Sequence, residues 1–230
     1  MQSKSTASHR PPKPMGGFTL VELLVVIAII SILMTVGAIG IGGMTAGKGV
    51  TNAVATAEAV FDEARSIAVS KRTNARVLIS VQDPNNRDTY LRRVVVAFQD
   101  LDASGNPSST WTLASRGIVL PEQTYFSQEF SKEKHETGGS GIQKMTLNAP
   151  VKTEYRGDYY YYEFNGEGIC TTPGASFVVG SGARPNGAEK PRVTASGKRD
   201  FGGFVIWRNG RTSMFRNPEQ IDLPASFTNF

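Results

Sequence analysis

Histidine and cysteine are nearly missing from this 230-residue chain, which has two of the first and one of the second. A single cysteine, Cys170, rules out an intrachain disulfide and any cysteine-built zinc cluster. Its neighbours Gly168, Ile169, Thr171 and Thr172 supply no base, so it reads as a small buried residue rather than a nucleophile. One histidine, His9, lies in a basic N-terminal stretch, and the other, His135, sits in the polar run Lys132–Glu136, which reads as a solvated loop. Triads built on histidine and metal sites built on His and Cys are therefore left without parts. Neither a P-loop nor a G-x-G-x-x-G occurs in a strand-to-helix setting, so no enzyme and no cofactor is expected.

Charge is absent from a second place, the run from Leu23 to Gly47. A helix of that length reaches roughly 38 Å, against about 30 Å for a bilayer core. Lys4, Arg10 and Lys13 precede it with no acid, so +3 of the formal +5 lies before residue 18. That asymmetry places the N-terminal end in the cytoplasm and the bulk of the chain outside. A secretory signal, a plain anchor and a buried helix of a soluble domain all compete for this segment. The stretch Leu20–Met34 has only Glu22 and Ser31 as polar members, which disfavours the buried helix, and no small-residue cleavage site follows it, which disfavours the signal. A plain anchor gives no reason for an acid inside the apolar run.

The residues Gly17-Phe18-Thr19-Leu20-Val21-Glu22-Leu23-Leu24 resemble the N-terminal motif of type IV pilins and type II secretion pseudopilins. The resemblance implies cleavage by prepilin peptidase between Gly17 and Phe18, methylation of Phe18, and a role in assembly for Glu22. Glu22 of one subunit would face the new α-amino group of its neighbour inside an apolar filament core, where a charge pair sets register. The partners so implied are other pilins or pseudopilins in a filament, the prepilin peptidase, the inner-membrane assembly platform, and membrane lipid before assembly. Many pilins interrupt this helix with a proline, whereas this chain has Ile39 there and instead Gly37, Gly40, Gly42 and Gly43. Each interior glycine costs a helix about 1 kcal/mol relative to alanine. They mark either a place where the helix bends or melts during assembly, or close helix contacts in the membrane.

Past Gly49 an amphipathic pattern appears, with Val50, Val54, Ala57, Phe61, Ala64 and Ala68 on one stripe, widened by Val60 and Ile67. Helix is predicted to about Lys71, ending near Asn74. The rest reads as β: Arg76–Val81, Arg92–Phe98, Gly117–Leu120, Gln143–Leu147, Tyr159–Phe164, Ser176–Val179, Gly203–Trp207 and Thr212–Phe215. Asn165-Gly166 and Asn209-Gly210 are hairpin-turn dipeptides, and Gly180–Lys198 reads as a long mobile loop. The expected fold is α+β and pilin-like: leader 1–17, transmembrane and assembly helix 18–47, amphipathic continuation 48–72, and a β-rich head of antiparallel strands over 73–230. Short matches around Ala64–Ala68, Arg76–Ile79, Phe164–Gly168 and Phe204–Arg211 resemble the minor pseudopilins and pilins of the GspH/FimT group, which leaves Asp100–Arg156 uncovered.

Three further patterns carry candidate chemistry. Asp100, Asp102 and Ser104 with Gly105 imitate the start of a calcium loop, but Trp111 stands where the closing glutamate belongs, and a hairpin turn explains the stretch better. Tyr159–Tyr162 could stack on bases or sugars, or alternate between core and solvent. Arg184, Lys190, Arg192, Lys198, Arg199, Arg208, Arg211 and Arg216 face only Glu189 and Asp200 across the same span, a net +6. They are candidates for contact with DNA phosphates or with an acidic partner. The overall expectation is a minor pilin or pseudopilin, with a DNA-binding uptake pilin as the alternative.

Overall fold

A computed structural model of the chain describes residues 20–194 and 200–230, with only the backbone course given for residues 32–48. The chain divides into two units, residues 1–42 and residues 43–230. One helix, α1 (Leu20–Lys71), runs from the first into the second and is continuous through Gly37, Gly40, Gly42 and Gly43.

Helix α1 ends at Lys71, where the sequence reading places it, three residues before Asn74. Arg72 takes a left-handed conformation (φ 52°), its amide reaches the Val69 carbonyl, and the Thr73 amide reaches back to Ala68 at 3.2 Å. This pair of bonds closes the last turn, here on an arginine where glycine is commoner.

Among the described residues ten strands follow: β1 (Ala75–Ser80), β2 (Arg93–Leu101), β3 (Pro107–Leu113), β4 (Ile118–Val119), β5 (Thr124–Phe126), β6 (Lys144–Leu147), β7 (Gly157–Phe164), β8 (Ala175–Ser181), β9 (Phe201–Ile206) and β10 (Thr212–Met214). They form two antiparallel sheets, one ordered β3-β2-β1-β7-β6 with β4 beside β2, the other ordered β10-β9-β8-β5. The apolar face of α1 packs on both. Val50, Ala53, Val54, Ala57, Val60, Phe61, Ala64 and Ala68 are all buried in one core with Val77 and Ile79 of β1, Tyr162 and Phe164 of β7, Phe177 of β8 and Phe204 of β9. The helical stripe read from the sequence is the buried face, with Ala53 added.

Sheet assignment departs from the sequence reading at four places. Strands β3 and β5 were not expected: β3 opens on proline and is rich in serine and threonine, which an edge strand tolerates, and β5 is too short to show a period. Asn165-Gly166 does form a turn, in which the Asn165 side chain accepts the Glu167 and Ile169 amides. The chain doubles back there, with Phe164 bridging Cys170 antiparallel and the Thr171 amide donating to the Glu163 carbonyl at 3.0 Å, before it passes from β7 in one sheet to β8 in the other. Asn209-Gly210 does join a hairpin, β9 to β10, with Gly210 at φ +72°. Gly180 and Ser181 belong to β8, and residues 182–194 are pinned rather than loose, with Ala183 bridging Arg192, and Arg192 bridging Asn229.

The tyrosine run also differs. Tyr160 and Tyr162 face the helix, as alternation predicts, but Tyr159 on the far face is buried too. Residues 147–155 fold over that face, and Leu147, Val151 and Tyr155 pack there with Leu78, Val95 and Ala97. The sheet is covered on both sides, so the strand has no solvent face at Tyr159. Burial pushes the Tyr159 phenol up to about 12 and the Tyr162 phenol well above its ordinary value of 10. Both protons are held more tightly in the folded chain than in the unfolded one. Their contribution to stability is complete below pH 10 and is lost as pH rises through the folded values. Unfolding is therefore expected to set in above pH 10, with ionisation of these two phenols appearing only as the head opens. Phenolate absorbance and circular dichroism followed together would show it; normal titration of all seven tyrosines in a folded head would contradict it.

Candidate functional site

Large apolar residues belong inside, yet the first turns of α1 leave them outside. Leu20, Val21, Leu23, Leu24, Val25, Val26, Ile27, Ile29 and Ile30 are all exposed, from 80% at Leu20 to 45% at Ile30. They lie on every side of the helix, so no single stripe can be covered by packing on one sheet. Full burial of each would be worth about 1.5–3 kcal/mol, a driving force on the order of 10–20 kcal/mol for whatever surrounds them. Among the described residues no helix is long and apolar enough to cross a membrane, and the described side chains of this stretch stop at Ser31.

Glu22 is the acid of the first helical turn. The unsatisfied amides of a helix N-terminus favour an anion there, so the carboxylate is locally well placed despite its apolar neighbours. Gly17 and Phe18 lie outside the described residues, as does His9. Gly37, Gly40, Gly42 and Gly43 lie within the backbone course of α1.

The other candidates scatter. Asp100 lies near the end of β2, and Asp102–Asn106 form the turn to β3. One Asp102 carboxylate oxygen accepts the Ser104 and Asn106 amides at 2.8 Å each, and these bonds, that from Asn106 foremost, hold the carboxyl below its usual value. Asp100 accepts the Thr112 hydroxyl at 3.0 Å, while the Ser104 amide, not its hydroxyl, faces Asp102. Among the described residues no three His, Cys, Asp or Glu side chains gather as a metal site requires.

The basic set does not act as one patch. Arg184 is buried, stacks on Tyr90 at 4.8 Å and donates to the carbonyls of Pro84, Asn86 and Ala188. Lys190 pairs with Glu129 at 2.8 Å. Arg192, Arg208, Arg211 and Arg216 are exposed, and Lys198 and Arg199 lie outside the described residues. Arg184 thus locks residues 182–194 onto the loop after β1, a role invisible in a count of charges.

Cys170 is buried, and desolvation raises its thiol above the ordinary value, as expected of an inert residue. Glu163 pairs with Arg76 at 2.6 Å, and the Arg76 guanidinium lies between the rings of Trp111 and Tyr161, 4.2 and 4.1 Å from their centres. These four residues come from three strands far apart in the chain, so no local signal could have joined them. His135 is half-buried rather than solvated: its Nε2 lies 2.7 Å from the Gln220 carbonyl oxygen and its ring 4.7 Å from Phe215.

Residues 13–38 match the prokaryotic N-terminal methylation motif, the signature of type IV pilins and pseudopilins. The match covers Gly17, Phe18 and Glu22 and ends before the head. No curated protein and no solved structure matches the chain.

Proposed function

We propose that the chain is a structural subunit, a minor pilin or minor pseudopilin, of a type IV pilus or type II secretion pseudopilus. The supporting observation is the combination of the methylation motif with a helix whose first turns expose apolar side chains all round, followed by a strand-rich head. On this reading residues 1–17 are a leader removed by prepilin peptidase, and Phe18 becomes a methylated N-terminus. Before assembly α1 sits in the inner membrane with the leader in the cytoplasm and the head in the periplasm, in contact with lipid and with the assembly platform. In the filament the same residues are covered by the helices of neighbouring subunits. The chain is the substrate of a processing enzyme rather than an enzyme.

Mass spectrometry of the chain co-expressed with a prepilin peptidase is the direct test. The mature form is expected to begin at Phe18 and to be one methyl group heavier than the bare sequence. Replacement of Gly17 by a bulky residue is expected to leave the leader attached. Unchanged mature size in the Gly17 variant would instead support a plain membrane-anchored domain.

The exposed Arg208 and Arg211, on the β9–β10 hairpin, favour DNA binding for uptake as the second reading. With Arg184 and Lys190 already engaged, that reading rests on fewer cations than the sequence offers. It requires affinity for DNA that falls steeply with salt.

A further inference from the structure

We propose that the open edge of β3, with the cavity beside it, binds an extended acidic peptide as an added strand. A strand at the end of a sheet presents a row of unpaired backbone donors and acceptors, which an extended polypeptide matches. Among the described residues β3 ends the first sheet and pairs only with β2. It is the longest of the four strands at sheet ends, with seven residues against four in β6 and three each in β5 and β10. It carries no charged residue, a usual guard on an exposed edge, and its proline stands at the first position. The ladder identifies the free groups. The Ala114 amide donates to the Val96 carbonyl at 2.8 Å, so Ala114 turns toward β2. Antiparallel pairing alternates, so Leu113 and Trp111, opposite Ala97 and Gln99, turn their amides and carbonyls away from β2. The irregularity between Gln99 and Leu101 confines this regular part to the Trp111–Leu113 end.

The cavity lies at that same end. It holds about 380 Å³ and is lined by Trp111 and Leu113 of β3 and by Pro150, Val151 and Tyr155 of the segment folded over the sheet. In an antiparallel added strand, the residues opposite Trp111 and Leu113 put their side chains on the same face, over this cavity. The volume falls within the 300–1,000 Å³ or so of ligand sites and suits two apolar side chains two positions apart. Charge defines the rest of the peptide. Arg116 and Lys152 line the cavity and are exposed. Arg93 lies 5.1 Å from the centre of the Tyr155 ring and donates to the Glu154 carbonyl, while Arg156 donates to the Val151 carbonyl at 2.6 Å. Against these four cations stands one acid, Glu154. Among the described residues none of the four belongs to an ion pair. The surplus attracts carboxylates at the two ends of the apolar pair.

A small anion would leave the apolar lining and the strand edge unused, and a nucleic acid would leave the edge amides and carbonyls without their partners. An extended chain with two apolar side chains on one face and flanking acids meets all three features. This site stands or falls independently of the filament reading, because it draws on the head alone.

The test uses the full chain in detergent, titrated with the end-blocked peptide Asp-Thr-Val-Thr-Phe-Thr-Asp, which places its acids, valine and phenylalanine on one face. The chain has two tryptophans, so the Trp207→Phe background leaves Trp111 as the reporter inside the cavity. The peptide is expected to change the Trp111 fluorescence saturably, and a scrambled peptide of the same composition not to. Methyl groups on the valine and phenylalanine amides, which face β3 in an antiparallel addition, should abolish binding, while methyl groups on the threonine amides should not. These peptides leave the protein unchanged, so folding does not enter the comparison. Replacing both Arg116 and Lys152 by glutamine, at exposed positions, should weaken binding about five- to tenfold. No response to the peptide, equal binding of the scrambled one, binding that survives methylation of the valine and phenylalanine amides, or a response to a short oligodeoxynucleotide alone would overturn the proposal.

Discussion

Glu22→Ala is expected to leave cleavage after Gly17 intact while reducing entry of the subunit into filaments by about two to three orders of magnitude. On the proposed reading, loss of the leader leaves the α-amino group on Phe18, four positions before Glu22 in the sequence. Outside a filament that cation can stay at a wet interface. Inside a core of apolar helices it needs a counter-charge, and Glu22 is the only acid between Phe18 and Gly47. A buried charge stripped of its partner costs about 3–5 kcal/mol, which sets the size of the loss. Substitution by glutamine separates charge from shape. If the carboxylate acts through its charge, Glu22→Gln should assemble as poorly as Glu22→Ala. Cleavage and assembly are read separately, by the mass of the mature chain and by its share in sheared filaments. Near-normal incorporation of either variant would sink the account of Glu22 and leave the processing reading untouched.

Phe61→Ala is expected to destabilise the head by about 3–5 kcal/mol. Phe61 is fully buried, and its ring lies 5.0 Å from Tyr162, 6.3 Å from Phe164, 5.5 Å from Phe177 and 5.0 Å from Phe204, all in edge-on geometry. Those four partners belong to β7, β8 and β9, so a single side chain of α1 ties the helix to both sheets. Its loss leaves a cavity that the rigid strands on either side cannot collapse to fill. Against a total stability of about 5–15 kcal/mol, that is enough to unfold the head partly at body temperature. Urea unfolding followed by circular dichroism should show a lower midpoint with unchanged slope. Phe61→Leu should lose about 1–2 kcal/mol, and Asp62→Ala, exposed one position on, less than about 0.5 kcal/mol. If Phe61→Ala cost no more than Asp62→Ala, the helix would not be packed as described.

The basic C-terminal span and the tyrosine run show where reading by residue type fails. Eight cations against two acids suggest a binding surface, but Arg184 spends its donors on three backbone carbonyls and Lys190 meets Glu129. Four consecutive tyrosines suggest two facing out, but a segment from elsewhere in the chain covers that face. For the cations the missing information is a partner more than sixty residues away; for the tyrosines it is the fold-back of residues 147–155, which nothing in the run itself foretells. The cavity lined by His135, Pro173 and Trp207 is of the same kind, since its lining comes from three separate segments of the chain.

What the sequence determined alone is what repeats at short range. Helical spacing from Val50 to Ala68 named the buried face of α1, and the hairpin at Asn209-Gly210 follows from the turn residues themselves. The motif at Gly17–Leu24 is likewise legible without a fold, because it is a run of consecutive residues that matches the methylation motif directly. The tertiary structure alone decided which strands pair, that there are two sheets rather than one, and that the first is covered on both faces. Strand β1 pairs with β7 across the whole of residues 81–156. No local propensity specifies such a pairing; it is settled by which combination buries the most apolar surface while leaving every interior strand with a partner on each side.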